Sequence, residues 1–205
     1  AIRTLRAMGT PMLIHQPNYS LFNRSIENGL DPVLLEEGVG CIAFAPLHNG
    51  LLTDKYFRGI PADSRAAKDP RYLTPDKITA EKVDRARRLN EIAARRGQSL
   101  AQMALQWVLR TDTVTSALIG ASKPQQILEN ARAMDAPALT EEELLALTAA
   151  ASEREAAAGA MDAIRGLGDE TVTRAEAAVY FNRLFGLAPT TEEIAYFPDV
   201  AQKRR

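Results

Sequence analysis

The sequence predicts an α/β fold in which parallel strands alternate with helices. Three short apolar runs have the length and composition of buried strands: PMLIHQPNY at 11–19, GCIAFAPL at 40–47 and VTSALIGA at 114–121. Patterns typical of helices separate these runs. Strands that alternate with helices imply a parallel sheet with right-handed crossovers, which is either an open doubly wound sheet or a barrel.

The first connection between strands contains one helix, and the second begins with a long loop. The stretch SIENGLDPVLLEEGVG at 25–40 predicts a helix that is interrupted or restarts near Asp31 and Pro32 and ends at Gly38. Residues 48–78 are polar and contain several prolines, which predicts a loop. A loop of this length in a compact domain usually has a function.

The remaining helices are predicted from their apolar spacing and their first residues. From Thr79 onward, apolar side chains recur every three or four residues, and Gly97 is a suitable end for that helix. Further helices are marked by a serine or threonine followed three residues later by glutamine or glutamate, the pattern of a capping box. These pairs are Ser99 with Gln102, Ser122 with Gln125, and Thr140 with Glu143.

The composition indicates a soluble globular protein with a sizeable core and no strong charge. Hydrophobic residues make up 46% of the 205, and 25 basic against 26 acidic residues leave a net charge of -1. This balance argues against a nucleic-acid partner, and no apolar stretch approaches the roughly 20 residues that span a bilayer. A single cysteine, Cys41, excludes an internal disulfide and a multi-cysteine metal site. We expect Cys41 in the core, no metal site and a cytoplasmic location.

Candidate ligand residues follow the ends of the three predicted strands. Gln16, Phe44 and Ser122 lie at or just beyond those ends. Barrel enzymes and open parallel sheets bind their ligands at that edge. The ring of Phe44 either offers a flat face to a heterocycle or simply packs.

Two further features favour a phosphate ligand, each with a structural alternative. IGASKPQQILEN at 119–130 passes from a strand into a helix N-terminus, where backbone N–H groups attract anions and Gly120 permits close approach. The alternative is an ordinary turn in which Ser122 only caps the helix. Lys55 and Arg65, in the long loop, either close over a phosphate or remain solvated surface charges.

From residue 1 to about residue 150 the chain resembles the C-terminal half of an aldo-keto reductase. The resemblance is nearest the branch of bacterial glyceraldehyde-3-phosphate reductases and potassium-channel beta subunits. The motifs that carry it, in family order, are LIHQPNYSLFNR, GVGCIAFAPLHNGLLTDKY, GIPADSR, GQSLAQMALQWVL and LIGASKPQQILEN. The resemblance implies the last three strands, with their helices, of a (β/α)8 TIM barrel that binds NADP(H) and reduces aldehydes or ketones. It also implies a small carbonyl substrate, with a homo-oligomer as an option for the full-length protein.

The resemblance assigns the nicotinamide end of the cofactor to the first two strand ends. Gln16 is expected to hydrogen-bond the carboxamide, and Phe44 to stack on the ring. Pro46 and Leu47 are expected to line the bend of the cofactor. Ala45 stands where many members have serine, so a hydroxyl contact is lost.

The resemblance assigns the rest of the cofactor to the loop and to the third strand. Lys55 and Arg65 are expected to hold its phosphates. The residues expected at the adenosine end are Gly120, Ser122, Gln126, Glu129 and Asn130. Gly120 and Gln126 occupy positions where other branches place lysine and arginine against the 2'-phosphate, so a preference for NADP over NAD is only partly supported.

The family's catalytic tetrad of Asp, Tyr, Lys and His comes from the first four strands of the barrel. LIHQPNY matches the sixth strand, so His15 is not the tetrad histidine, and Lys55 with Tyr56 is not the tetrad pair. His48 either touches substrate or is an ordinary loop residue. A full barrel needs about 250 residues, so we expect no tetrad residue in this chain and no reductase activity from residues 1–205 alone.

The last part of the chain, 151–205, differs in composition and predicts a helical tail. Thr173 and Glu176 form a capping box, and TVTRAEAAVYFNRLFGL followed by FPDV is similar to part of an S-layer homology repeat. The alternative is a capped amphipathic helix that packs on a partner or on the preceding domain. The alternative function for the whole chain is a non-catalytic nucleotide-binding or degenerate module fused to a surface or interaction tail.

Overall fold

A computed structural model describes residues 1–69 and 73–152 of the chain. Its helices and strands, in order, are α1 (Ile2–Ala7), β1 (Ile14–His15), α2 (Leu30–Glu36), β2 (Gly40–Phe44), α3 (Arg65–Lys68), α4 (Ala80–Arg95), α5 (Leu100–Val108), β3 (Val114–Leu118), α6 (Pro124–Ala131) and α7 (Glu141–Ala151). Short 3-10 helices lie at Ser25–Glu27, His48–Gly50, Asp54–Tyr56, Pro75–Lys77 and Arg132–Asp135. No helix within the described residues has the length and apolar character to cross a membrane.

The three predicted strands form one parallel sheet in the order β1-β2-β3. Ile14 pairs with Gly40, and Phe44 pairs with Leu118. Helix α2 connects β1 to β2, and α4 and α5 lie between β2 and β3 in the chain. The prediction of an α/β fold with parallel strands is therefore confirmed, and the carboxyl ends of all three strands lie at one edge of the sheet. We call this the carboxyl edge.

The helical segment before β2 is interrupted and restarts, as predicted: a 3-10 helix at Ser25–Glu27 is followed by α2 from Leu30. The helical backbone is interrupted at Gly29, whose φ of 86° lies in the left-handed region, and α2 begins directly after it. Pro32 lies in the first turn of the helix, where a missing N–H costs no intrahelical hydrogen bond. The predicted restart near Asp31 and Pro32 is therefore confirmed, and Gly38, with φ 62°, follows the end of the helix as expected.

Two of the predicted capping boxes are present. Ser99 Oγ accepts from the backbone N–H of Gln102 at 3.2 Å, and Gln102 Oε1 accepts from the backbone N–H of Ser99 at 2.9 Å. Thr140 and Glu143 make the same reciprocal pair at 3.2 and 2.8 Å. These bonds satisfy backbone donors that a helix leaves unpaired at its start, so they fix the first residues of α5 and α7.

The main core lies between the sheet and the helices α4, α5 and α7. Trp107 is its largest buried side chain, and Leu89, Met103 and Leu147 are completely buried around it. Cys41 is also completely buried, on the central strand, as predicted. Burial raises the pKa of its thiol, with a smaller contribution in the same direction from Asp31. Cys41 is therefore a packing residue and a poor nucleophile.

The segment between β2 and α4 is more ordered than a polar loop. It contains three 3-10 helices and α3, and it has a second, smaller core made of Leu51, Tyr56, Ala66 and Leu73. Four apolar side chains spaced over more than twenty residues do not produce a helix or strand period, so the pattern predicted only a loop. The cluster gives this segment a defined shape next to the carboxyl edge.

Residues 153–205 lie outside the described part of the chain. The predicted helical tail 151–205, the capping box of Thr173 with Glu176 and the similarity to an S-layer homology repeat fall almost entirely there, so they stay predictions.

Candidate functional site

The ends of β1 and β2 are joined by backbone hydrogen bonds at the carboxyl edge. The N–H of Phe44 donates to the carbonyl of Pro17 at 2.8 Å, and the N–H of Tyr19 donates to the carbonyl of Phe44 at 3.2 Å. Gln16 is exposed, and Phe44 is 38% exposed. An amide side chain and an aromatic ring therefore stand on neighbouring strand ends and remain accessible.

Asn18 lies in the same place and carries an unpaired oxygen. It forms an isolated parallel bridge with Phe44. Its side-chain oxygen Oδ1 is buried and has no hydrogen-bond partner among the described residues. A buried polar atom without a partner costs free energy, so its presence beside Gln16 and Phe44 marks this corner of the sheet as a place for a ligand. Asn18 was not predicted as a site residue, although its position in QPNY, two residues after Gln16, was a usable signal.

The turn after β2 has a strained backbone. Ala45, His48 and Asn49 have φ values of 51°, 46° and 57°, a region that residues with a Cβ adopt at a cost. Hydrogen bonds from the N–H of His48 to the carbonyl of Ala45 (2.8 Å) and from Gly50 to Leu47 (2.9 Å) hold the turn closed. Pro46 is buried, whereas Ala45 and Leu47 are half-buried. Strain of this kind collects at functional sites, where the surrounding structure enforces it.

Replacing Ala45 with glycine is expected to raise the free energy of unfolding by about 0.5–1 kcal/mol, because glycine has no Cβ to oppose a positive φ. Urea titration followed by circular dichroism measures the change. Ala43→Gly is the matched control: Ala43 is completely buried within β2 and has no positive φ, so this variant should lose stability. Equal losses in both variants would show that the turn is not strained at Ala45.

Lys55 and Arg65 are exposed cations in the ordered segment after β2. Lys55 lies in the 3-10 helix Asp54–Tyr56, and Arg65 is the first residue of α3, whose cap Ser64 accepts from the N–H of Ala67 at 3.2 Å. Both lie close to Tyr56. The Lys55 ammonium is 5.8 Å from the centre of the Tyr56 ring. Burial raises the pKa of Tyr56, and the charge of Arg65 opposes that rise. Neither cation forms an ion pair within the part of the chain that the structure describes, so both are available to an anion.

The start of α6 differs from the prediction by one residue. Pro124 is the first helical residue, and Lys123 occupies the cap position with an extended backbone. The capping glutamine is Gln126: its Oε1 accepts from the N–H groups of Ser122 (2.8 Å) and Lys123 (3.1 Å) and from the Ser122 hydroxyl (3.2 Å). The predicted cap pair of Ser122 with Gln125 is therefore wrong. Two of the N–H groups considered for a phosphate are already bonded to Gln126.

The other residues expected at the adenosine end lie along the same exposed element. Nothing lies within 4 Å of the position a Cβ would take at Gly120, so a ligand has room there. Glu129 is exposed, and its carboxylate accepts from Gln125 at 3.3 Å, while Asn130 is half-buried. Gly120 and Ser122 thus lie in the turn between β3 and α6, and Gln126, Glu129 and Asn130 lie within α6. Gln16 directly follows β1, and Phe44 is the last residue of β2.

His48 packs within the protein. It lies 3.4 Å from the hydroxyl of Ser20 and makes an edge contact with Phe22, with ring centroids 5.5 Å apart. Burial, followed by the charges of Lys82 and Arg85, lowers its pKa to about 4. His48 is therefore neutral at pH 7 and behaves as a packed loop residue, the simpler of the two interpretations.

A buried polar network behind the carboxyl edge was not predicted. Tyr19 is completely buried and donates its hydroxyl to Glu27 Oε1 at 2.6 Å, and Arg110 donates to both groups. Burial is the largest influence on Glu27 and raises its pKa, but hydrogen bonds and charge from Arg24, with Tyr19 and Arg110, outweigh it, so the pKa of Glu27 is lowered. Burial raises the pKa of Tyr19 far above its usual range. The network therefore consists of a neutral phenol, a carboxylate and two guanidinium groups.

The carboxyl edge of the parallel sheet presents an amide and an aromatic ring, and the segment that follows β2 carries two exposed cations that form no ion pair among the described residues. These features place the chain among the α/β proteins that bind ligands at that edge. The model of the aldo/keto reductase family matches residues 1–152. The chain belongs to the aldo/keto reductase family.

Curated relatives agree with the family. The chain is 51% identical over 138 residues to "L-glyceraldehyde 3-phosphate reductase" of Escherichia coli (strain K12), an alignment that covers 65% of this chain and 40% of that protein. It is 48% identical over 147 residues to the protein of the same name in Escherichia coli O157:H7, covering 70% and 42%. It is 38% identical over 134 residues to the "Probable voltage-gated potassium channel subunit beta" of Oryza sativa subsp. japonica, covering 63% and 41%. The chain therefore spans about two fifths of the length of these relatives.

Proposed function

We propose that this chain is the cofactor-binding part of an NADP(H)-dependent aldo-keto reductase that reduces aldehydes or ketones to alcohols. The observation that carries the proposal is the junction of β1 and β2, where exposed Gln16 and Phe44 stand side by side on hydrogen-bonded strand ends. An amide suits the carboxamide of a nicotinamide, and an aromatic face suits its ring. The unpaired Oδ1 of Asn18 adds an acceptor in the same corner.

The residues present also fit the phosphates of such a cofactor. Lys55 and Arg65 are exposed cations without a carboxylate partner in the described ranges, and the segment that carries them is fixed by its own small core. Arginine is suited to bidentate contact with phosphate, and lysine acts as a point charge. Ser122 and Gln126 at the start of α6 supply polar groups for the adenosine end, provided that Gln126 releases the N–H groups it now accepts from.

When bound, NADPH supplies the hydride that reduces a carbonyl carbon. In this proposal the residues of the present chain bind and orient the cofactor: Gln16 fixes the carboxamide and Phe44 supports the ring. The groups that move the proton lie outside residues 1–205. The substrate is a small carbonyl compound, and residues 1–205 alone have no reductase activity.

A second candidate function is nucleotide binding without catalysis. It is favoured by the 38% identity to a protein named as a potassium channel subunit beta. The two candidates share the cofactor site and differ in turnover, which is measured on the full-length protein by NADPH oxidation with an aldehyde.

Replacing Arg65 with alanine is expected to weaken NADPH binding by about 10- to 100-fold, the range for loss of a charge-assisted contact. Isothermal titration calorimetry with residues 1–205 measures the dissociation constant. The matched control is Arg58→Ala, which removes another exposed arginine from the same segment and should leave affinity within about twofold. Equal weakening by both variants would point to a general effect of positive charge and contradict a phosphate contact by Arg65.

A further inference from the structure

The polar network behind the carboxyl edge is complete and rigidly packed. Glu27 Oε1 accepts from the Tyr19 hydroxyl (2.6 Å) and from Arg110 Nη2 (3.0 Å), and Glu27 Oε2 accepts from Arg24 Nε (2.8 Å). The Arg110 guanidinium lies 3.9 Å from the centre of a ring of Trp107. Each charged group has a partner, so the network holds the Tyr19 side chain in one position.

Tyr19 connects this network to the proposed nicotinamide end of the site. It is only three residues after Gln16, and its N–H donates to the carbonyl of Phe44 at 3.2 Å. The strand β1 has only two residues, so Gln16, Pro17 and Asn18 lie beyond regular strand pairing. The position of this segment depends on its two hydrogen bonds to Phe44 and on the buried side chain of Tyr19.

We propose that Tyr19, held by Glu27 and Arg110, is a positioning residue that sets the placement of Gln16 and Phe44 against the nicotinamide. Tyr19 itself does not touch the cofactor in this proposal; it acts through the backbone that it anchors. The inference rests on the proposed function and adds a residue to it. It separates the site into two ends. The nicotinamide end depends on Tyr19, and the adenosine end, in the turn before α6 and in α6 itself, does not.

Tyr19→Phe is a suitable test because it removes only the hydroxyl. The ring keeps its packing on Trp107, where the centroids are 5.2 Å apart. Arg110 Nη1 retains the Trp107 carbonyl at 2.9 Å, and Glu27 retains Arg110 Nη2, so no charged group loses its last partner. The variant should therefore fold.

The experiment compares two ligands on residues 1–205 by calorimetry: NADPH, and adenosine 2',5'-bisphosphate, which lacks the nicotinamide. Tyr19→Phe is expected to weaken NADPH binding by up to about tenfold, because the hydrogen bonding lost is internal to the protein and sets an upper limit of about that size. The variant should leave the binding of adenosine 2',5'-bisphosphate unchanged. Leu147→Val, which shortens a buried apolar side chain that makes no hydrogen bond in the network, is the control and should keep the ratio of the two affinities.

Three outcomes would overturn the inference. Equal weakening of both ligands by Tyr19→Phe would show a general structural effect, and unchanged binding of both would show that the hydroxyl does not position the site; in each case the proposed function stands. If the unaltered chain binds neither ligand, the proposed function fails and the inference fails with it.

Discussion

Replacing Trp107 with alanine is expected to lower the free energy of unfolding by about 3–5 kcal/mol, which is a large part of the stability of a domain of this size. The side chain is 1% exposed and lies at the centre of the main core. Truncation leaves a cavity bordered by buried side chains that cannot all move into it. It also removes the aromatic ring on which Arg110 and Arg24 lie, at 3.9 and 5.3 Å from a ring centre.

Urea unfolding followed by circular dichroism at 222 nm measures this loss, since the variant has no tryptophan signal. Trp107→Phe is the matched control, because a phenyl ring keeps part of the volume and an aromatic face; we expect less than half of the loss. A loss below about 1.5 kcal/mol for alanine would mean that the core closes around the missing ring.

Acidification from pH 7 to pH 4 is expected to remove about 2–3 kcal/mol of stability through His48 alone. The pKa of this side chain falls from an ordinary value of 6.5 to about 4 in the folded protein, first because it is buried and then because Lys82 and Arg85 are near. The unfolded chain therefore takes up a proton at a pH where the folded chain does not. The stabilising contribution is complete above pH 6.5 and is lost as the pH falls toward 4.

The measurement is the free energy of unfolding in urea at several pH values between 7.5 and 4, for the unaltered chain and for His48→Gln. The variant keeps a polar side chain but does not titrate, so its curve should be flatter over this range. Carboxylates with lowered pKa values, such as Glu27 and Glu143, contribute equally to both curves. Parallel curves for the unaltered chain and His48→Gln would contradict the assignment.

The sequence predicted the sheet well because its strands are short apolar runs with proline soon after each of the first two. Helix starts were predicted where a capping pair acts locally, as for Ser99 with Gln102. The start of α6 was missed because Pro124 disfavours helical backbone at the residue before it. Lys123 is accordingly extended, with φ -139° and ψ 140°, and becomes the cap in place of Ser122.

The parts of the site that were not predicted depend on contacts between residues that are far apart in the sequence. Tyr19 and Arg110 are 91 residues apart and Glu27 and Arg110 are 83 apart, and no local period marks such pairs. The small core of the segment after β2 could not be predicted for the same reason: Leu51 and Leu73 belong to one cluster although they are far apart in the sequence. By contrast, Gln16 and Phe44 follow strand ends, so their shared edge could be predicted once the strands were identified.

The complete burial of Cys41 makes this thiol a kinetic probe of the whole sheet. It lies on the central strand, between β1 and β3, and it is the only cysteine in the chain. A thiol reagent reaches the sulfur only when the packing of the sheet against its neighbours opens, so the rate of modification reports how often that opening occurs. A ligand that binds only the closed carboxyl edge makes such openings rarer, and the labelling time therefore lengthens by the factor 1 + L/Kd, where L is the free ligand concentration.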